Sequence, residues 1–166
     1  MQNNWEQFHR FQEKNDWCGV AVIQMILAKA GIKKSQKNIA KDVFIDWYGV
    51  SREIMLAYLS RYFKIVNYKN NCKTSDISFH VEKEHAVVLN WWDDFENGFE
   101  DGHYSLVSEY NTKTKLLTLV DPSRERDGIW KINYSEFKYK WYDTLTLDHK
   151  IWTTGWMLWA DLNTKR

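Results

Sequence analysis

A chain of 166 residues, 44% hydrophobic and 27% charged, has the size and balance of one domain with its own core, which excludes a disordered segment and two full domains. The formal net charge is +1, and no Lys/Arg block threaded by aromatics is present, so a nucleic-acid surface is excluded. Residues 1–14 lack the basic-then-apolar pattern of a secretory signal, and the most apolar late stretch, 151–160, is too short to span a bilayer. These features predict a cytoplasmic protein without a membrane span, with non-classical secretion left open.

In chain order, the first dozen residues read as loop or extended chain. A helix is predicted from Asp16 or Trp17, because Val20, Ile23, Ile26, Leu27 and Ala30 recur at helical spacing. Gly31 ends it, since a left-handed C-terminal residue costs Gly little. Ser35 and Ser51 are placed as N-caps of two further helices, the second running to about Phe63. A short strand over Ile65, Val66 and Tyr68 follows. A helix is then predicted over 76–84, capped by Thr74 or Ser75. Strands are predicted over 86–92, 103–110 and 116–121, the last two joined as a hairpin by the turn 111–115. Residues 130–134 read as a strand, 135–142 as a short helix and 155–162 as a closing strand. Helices therefore come first and an antiparallel sheet second. That order predicts an α+β fold in one domain over 1–166, with a helical half packed on a sheet.

Only two cysteines, Cys18 and Cys72, are present. Both are read as free thiols, which suits a reducing compartment. Cys18 falls at the start of the first helix, where the macrodipole and unbonded N–H groups favour a thiolate, the reactive form. Gly19 beside it leaves room for a substrate backbone. Trp17, on the other side of the thiol, is a further candidate contact.

A thiol nucleophile needs a base and an acceptor to orient that base. Of five histidines, His103 opens an alternating strand directly after Gly102, at the edge of the predicted sheet. The hairpin partner ends in Asp121, at the same end of the sheet as His103. Acyl transfer further needs donors for the developing oxyanion. The Cys18 amide is one candidate, and the side chain of Gln12, six residues upstream, is the other.

Taken together, Gln12-Glu13-Lys14-Asn15-Asp16-Trp17-Cys18-Gly19, Gly102-His103-Tyr104 and Val120-Asp121-Pro122 resemble the bacteriocin-processing, double-glycine-leader cysteine peptidases of the papain-like superfamily. The resemblance covers about residues 12–162. It implies a papain-like fold, with Cys18 as nucleophile, His103 as general base and acid, Asp121 as its orienter and Gln12 as oxyanion donor. The reaction so implied is hydrolysis of peptide bonds through a thioester, with no cofactor, acting on a peptide or protein substrate. An acyltransferase or transamidase on the same triad, and a silent peptide-binding domain, are the alternatives.

The acidic, aromatic segment 91–101 invites two readings, a solvated loop or a lid and substrate wall built from Trp91, Trp92, Phe95 and Phe99. A calcium loop starting at Asp93 fails, because Phe95 and Tyr104 would fall on ligand positions. His80 and His85 lack a third ligand for zinc and are expected at the surface.

Overall fold

The computed structural model describes residues 4–94, 101–144 and 151–166. After a 3-10 turn at Glu6–Phe8, α1 spans Cys18–Lys29 and is apolar on nearly every side, with Gly19–Ile23 and Met25–Leu27 buried. A helix apolar all round belongs inside a core. Its end is fixed by Gly31 at φ 81°, where Gly31 N–H meets Ala28 O and Ile32 N–H meets Leu27 O, the paired bonds of a Schellman motif. Ser35 and Ser51 cap α2 (Gln36–Val43) and α3 (Arg52–Leu59) by accepting the N–H of Asn38 and Ile54. The Ser51 helix is shorter than its apolar pattern suggests. It stops at Leu59, and separate turns carry the chain on to the buried Phe63.

β1 (Val66–Lys69) follows, then α4 (Thr74–Glu82). Neither Thr74 nor Ser75 caps α4; the Asp76 carboxylate instead reaches back to the Lys73 N–H at 2.7 Å. β2 (Ala86–Asp93), β3 (Asp101–Asn111), β4 (Leu116–Val120) and β5 (Ile129–Asn133) come next, then α5 (Tyr134–Phe137) and the short strands β6 (Tyr142–Thr144) and β7 (Trp152–Thr154). The predicted 135–142 helix is thus a single turn, followed by a two-stranded ribbon that hydropathy alone does not signal. The last strand, β8 (Met157–Ala160), does not close an edge. It inserts between β1 and β2 in an antiparallel sheet of order β1-β8-β2-β3-β4-β5.

The sheet is mixed with helices as an α+β fold should be, but it is covered on both faces. Ala86, Val88, Tyr104, Leu106, Leu158 and Ala160 pack with α1–α3. Their sequence neighbours Val87, Leu89, Val107, Met157 and Leu119 pack with α4 and α5. Period-2 alternation therefore separates two cores instead of core from solvent, and β2 shows six consecutive buried residues.

Gly19 serves this packing. A Cβ there would lie 2.7 Å from Val50 Cβ and 3.3 Å from the Tyr104 ring. Val50 Cβ is fixed to its backbone and cannot swing aside. Although Ala is the better helix former, Gly19→Ala is expected to destabilise the protein by about 1–3 kcal/mol. Urea unfolding checks this; an unchanged or higher midpoint would mean that the Val50 loop yields freely.

Candidate active site

Cys18 is the first residue of α1, so its side chain shares the helix N-terminus with N–H groups that have no acceptor inside the helix. His103 lies near the start of β3 and is 7% exposed. The imidazole bonds through Nε2 to Asp121 Oδ1 at 2.8 Å, and Cys18 lies close enough on its other side to favour the charged ring. With Nε2 engaged by the carboxylate, Nδ1 is left for the thiol. Register explains the meeting. β3 and β4 are antiparallel with Leu106 opposite Val120, which brings Asp121, just past β4, alongside the residues that precede Leu106.

Asp121 has no exposed surface, and a buried carboxylate is tolerable only when hydrogen-bonded. Its Oδ1 accepts from His103 and from the Ser123 N–H at 2.9 Å. Its Oδ2 accepts from Arg126 Nε at 2.9 Å and from Trp130 Nε1 at 3.0 Å. Burial favours the neutral acid, but His103, Arg126 and the Ser123 N–H outweigh it and hold the carboxyl below the usual carboxylate range. Burial likewise works against charge on His103, yet the Asp121 carboxylate and Cys18 overcome it and push the imidazole up to about 10. Both shifts point the same way, each partner favouring the charged form of the other.

The Gln12 segment is fixed at several points. Its N–H bonds Pro122 O and its carbonyl accepts Arg124 Nε, both at 2.8 Å. Gln36, 1% exposed, brackets it by donating to Phe11 O at 2.8 Å and accepting the Glu13 N–H at 2.9 Å. The Gln12 amide donates to Lys14 O at 3.0 Å; a primary amide carries two hydrogens, so this uses one of them. Asn90, buried on β2, pins the His103 carbonyl at 3.1 Å while accepting from Arg52 Nε at 2.7 Å.

Gln12, Cys18, Gly102 and His103 all line one cleft of about 600 Å³. Trp17 does not reach it. It is buried edge-on against Phe44, with Lys14 over its ring. Trp92 also lies outside the cleft lining, packed with Tyr142 and Trp152. Trp91 is no lid either: it is fully buried and meets the His103 ring edge-on at 5.2 Å. Phe95 and Phe99 lie outside the described residues.

Several cleft features are not legible from motif spacing. Trp47, 76% exposed, stands at the cleft with φ 68°, held by the Ile45–Gly49 bridge. An exposed, left-handed Trp is costly, and such strain gathers at functional sites; only the Asp46-Trp47-Tyr48-Gly49 run hints at it. His9 donates through Nε2 to the Asp121 carbonyl at 2.8 Å, a contact between residues 112 positions apart.

Among the described residues no group of His, Cys, Asp and Glu is arranged to hold a metal. His80 and His85 are not free surface residues: their Nδ1 atoms are 2.9 Å apart, and His80 stacks on Trp159. Cys72 is buried beside Lys69 O, and burial pushes its thiol up to about 11. No helix among the described residues is long and apolar enough to cross a membrane.

The model of the Peptidase_C39 like family matches residues 2–147. The peptidase domain of Streptococcus ComA, described as a bifunctional ABC transporter of a quorum-sensing pathway, superposes with a TM-score of 0.66 at 12% identity, covering 92% of this chain and 96% of that one. A double glycine motif protease from an AMS/PCAT transporter, solved with its leader peptide, gives 0.60 at 18%, covering 90% and 88%. A C39-like peptidase from Bacillus anthracis gives 0.63 at 14%, covering 96% of each chain. No curated protein matches by sequence. At these identities the superpositions speak for the fold, which is that of the papain-like C39 peptidase domains.

The His103–Asp121 pair has a consequence for stability. A raised folded-state pKa stabilises fully below the unfolded value of about 6.5, and the contribution is lost as pH rises through about 10. Urea unfolding of the native protein is therefore expected to lose stability relative to His103→Ala as pH rises from about 7. Parallel profiles for the two proteins would show that the pair is not charged in the folded state.

Proposed function

We propose that this chain, which belongs to the Peptidase_C39 like family, is a cysteine peptidase that uses Cys18, His103 and Asp121 as a catalytic triad and Gln12 as an oxyanion donor. The reading rests on one observation above the others. The buried Asp121 carboxylate holds the imidazole of His103, which shares one cleft with Cys18, the first residue of a helix.

In this mechanism Cys18 Sγ, its proton passed to His103, attacks the scissile carbonyl carbon. The carbonyl oxygen takes up the negative charge and is met by the Cys18 amide and a Gln12 Nε2 hydrogen. Collapse breaks the C–N bond, His103 gives its proton to the leaving amine, and a thioester to Cys18 remains. His103 then takes a proton from water, whose oxygen attacks the thioester and releases the carboxylic acid and the thiol. Asp121 keeps its charge throughout and fixes the ring orientation. No cofactor enters. The substrate is a peptide or protein, and a double-glycine segment is the first sequence to try, because the C39 relatives include a double glycine motif protease. Work in a reducing compartment suits two free thiols.

Turnover of a mixed fluorogenic peptide library, including Gly-Gly members, tests the reading. Cys18→Ala abolishes cleavage, while Gln12→Ala lowers kcat by about 10²- to 10³-fold with a smaller change in KM. Cleavage that survives in Cys18→Ala would refute the assignment. Cleavage replaced by amide formation on adding a primary amine would mark an acyltransferase.

Trp47 is the wall that such a peptide meets. Trp47→Ala is expected to raise KM about tenfold, the loss of one aromatic contact, and to leave kcat near its native value. An unchanged KM across the library would remove Trp47 from the binding surface.

A further inference from the structure

The oxygen of Asp121 that His103 does not use is held by a second cation. Arg126 donates through Nε to Asp121 Oδ2 at 2.9 Å, while its Nη2 and Nη1 grip both oxygens of Asp93, at 2.5 and 3.3 Å. The guanidinium is 10% exposed on its side chain and lies against the rings of Trp91 and Trp130, 5.5 and 5.6 Å from their centroids. A planar fork joined to two carboxylates and packed on aromatics has little freedom to move. Its two anchors differ in place. Asp121 orients the imidazole, whereas Asp93 ends β2 and lines the cleft.

We propose that Arg126 is a positioning residue for the triad, which clamps Asp121 from the side opposite His103 and, held in turn by Asp93, restrains the pull of that carboxylate on the imidazole. The proposal rests on the triad reading above. A buried carboxylate with no second cation would bind an imidazolium tightly, and a base that holds its proton too firmly is a poor acid for the leaving amine. Arg126 draws part of that charge to Oδ2. Asp93 opposes it, because an Arg shared between two carboxylates gives less to each. The chain Asp93–Arg126–Asp121–His103 thus sets the basicity of the ring through alternating charges.

The direction of each effect follows from the groups that face His103 and Asp121. These are Cys18 from α1, His9 from the N-terminal segment, Arg126 and the Ser123 N–H from the β4–β5 connection and the Trp130 indole from β5, with Asp93 from β2 behind Arg126. Asp16, Asp101, Glu125 and Asp143 line the cleft beyond them and are unchanged in every variant. Removing the Arg126 cation favours the imidazolium, so the His103 titration midpoint rises. Removing the Asp93 anion disfavours it, so the midpoint falls. A merely structural brace would loosen the fold in both variants without moving the midpoint in opposite directions.

Imidazole NMR titration of the full chain reads this without a substrate, with the His103 signal identified by its loss in His103→Ala. Arg126→Gln is expected to raise the midpoint by about half a pH unit or more and Asp93→Asn to lower it, with Arg126→Lys falling back toward the native value. Asp121→Asn is the control for the triad itself and should lower the midpoint by more than Asp93→Asn does. If Asp121→Asn leaves the midpoint unmoved, the triad reading fails. If Asp121→Asn lowers it but Arg126→Gln does not raise it, the triad stands and the Arg126 role is overturned. Should Arg126→Gln not fold, Asp93→Asn retains every basic residue, and a midpoint that stays or rises in it overturns the role equally.

Discussion

The structure turns on a single buried carboxylate. Asp121 has no contact with water, and a charge so placed is stable only if its lone pairs are all engaged. Four donors meet it: a ring nitrogen from β3, a backbone N–H two residues on, a guanidinium in the β4–β5 connection and the indole of Trp130 on β5. Those groups converge only if β3, β4 and β5 pair in the observed register. Removing one donor leaves the others to hold an under-compensated charge, which makes this network costly to break. The same turn organises the N-terminal arm, since His9 binds the Asp121 carbonyl and the Gln12 N–H binds that of Pro122.

Orientation of the nucleophile comes from a different source. α1 is buried on almost every side, so its first residue has a fixed place relative to the sheet. Gly19 lets Val50 and Tyr104 close against it, and the Tyr104 hydroxyl ties β3 to the Val50 carbonyl at 3.0 Å. Gln36 then fixes the chain on either side of Gln12. The thiol, the imidazole and the amide stand on three separately braced elements that meet at one cleft, the arrangement on which preorganised catalysis depends.

The sequence exposes what is local. Helical spacing, two serine caps, the Gly31 stop and the hairpin over 111–115 are all set by short-range chemistry, and the structure has each of them. Cys18, His103 and Asp121 stand at or near the ends of elements, where the sequence can place them, and Gln12 lies in the loop that leads into α1. What the sequence hides is long-range. Burial on both faces makes β2 a near-continuous apolar run interrupted only by Asn90, a pattern that points to cover on both sides but does not say which elements supply it. The insertion of β8 between β1 and β2 is a choice among edges that hydropathy does not rank. Trp17, Gly19 and Trp92 look like cleft residues by proximity, but helix rotation and ring packing turn them into core or its margin. Trp47, His9 and Arg126 belong to the cleft or its support through contacts that no spacing rule encodes.

The chain belongs to the Peptidase_C39 like family and has the fold of its peptidase domains, and the network around Asp121 is what the proposed cysteine chemistry would draw on. The claim on which everything rests is that Cys18 is activated by His103. Competitive alkylation with iodoacetamide at neutral pH, with each thiol followed by peptide mass spectrometry, tests it most directly. Cys18 is expected to be modified well ahead of the buried Cys72, and His103→Ala to slow Cys18 alone. If His103→Ala leaves the Cys18 rate unchanged in a folded protein, the imidazole does not activate the thiol.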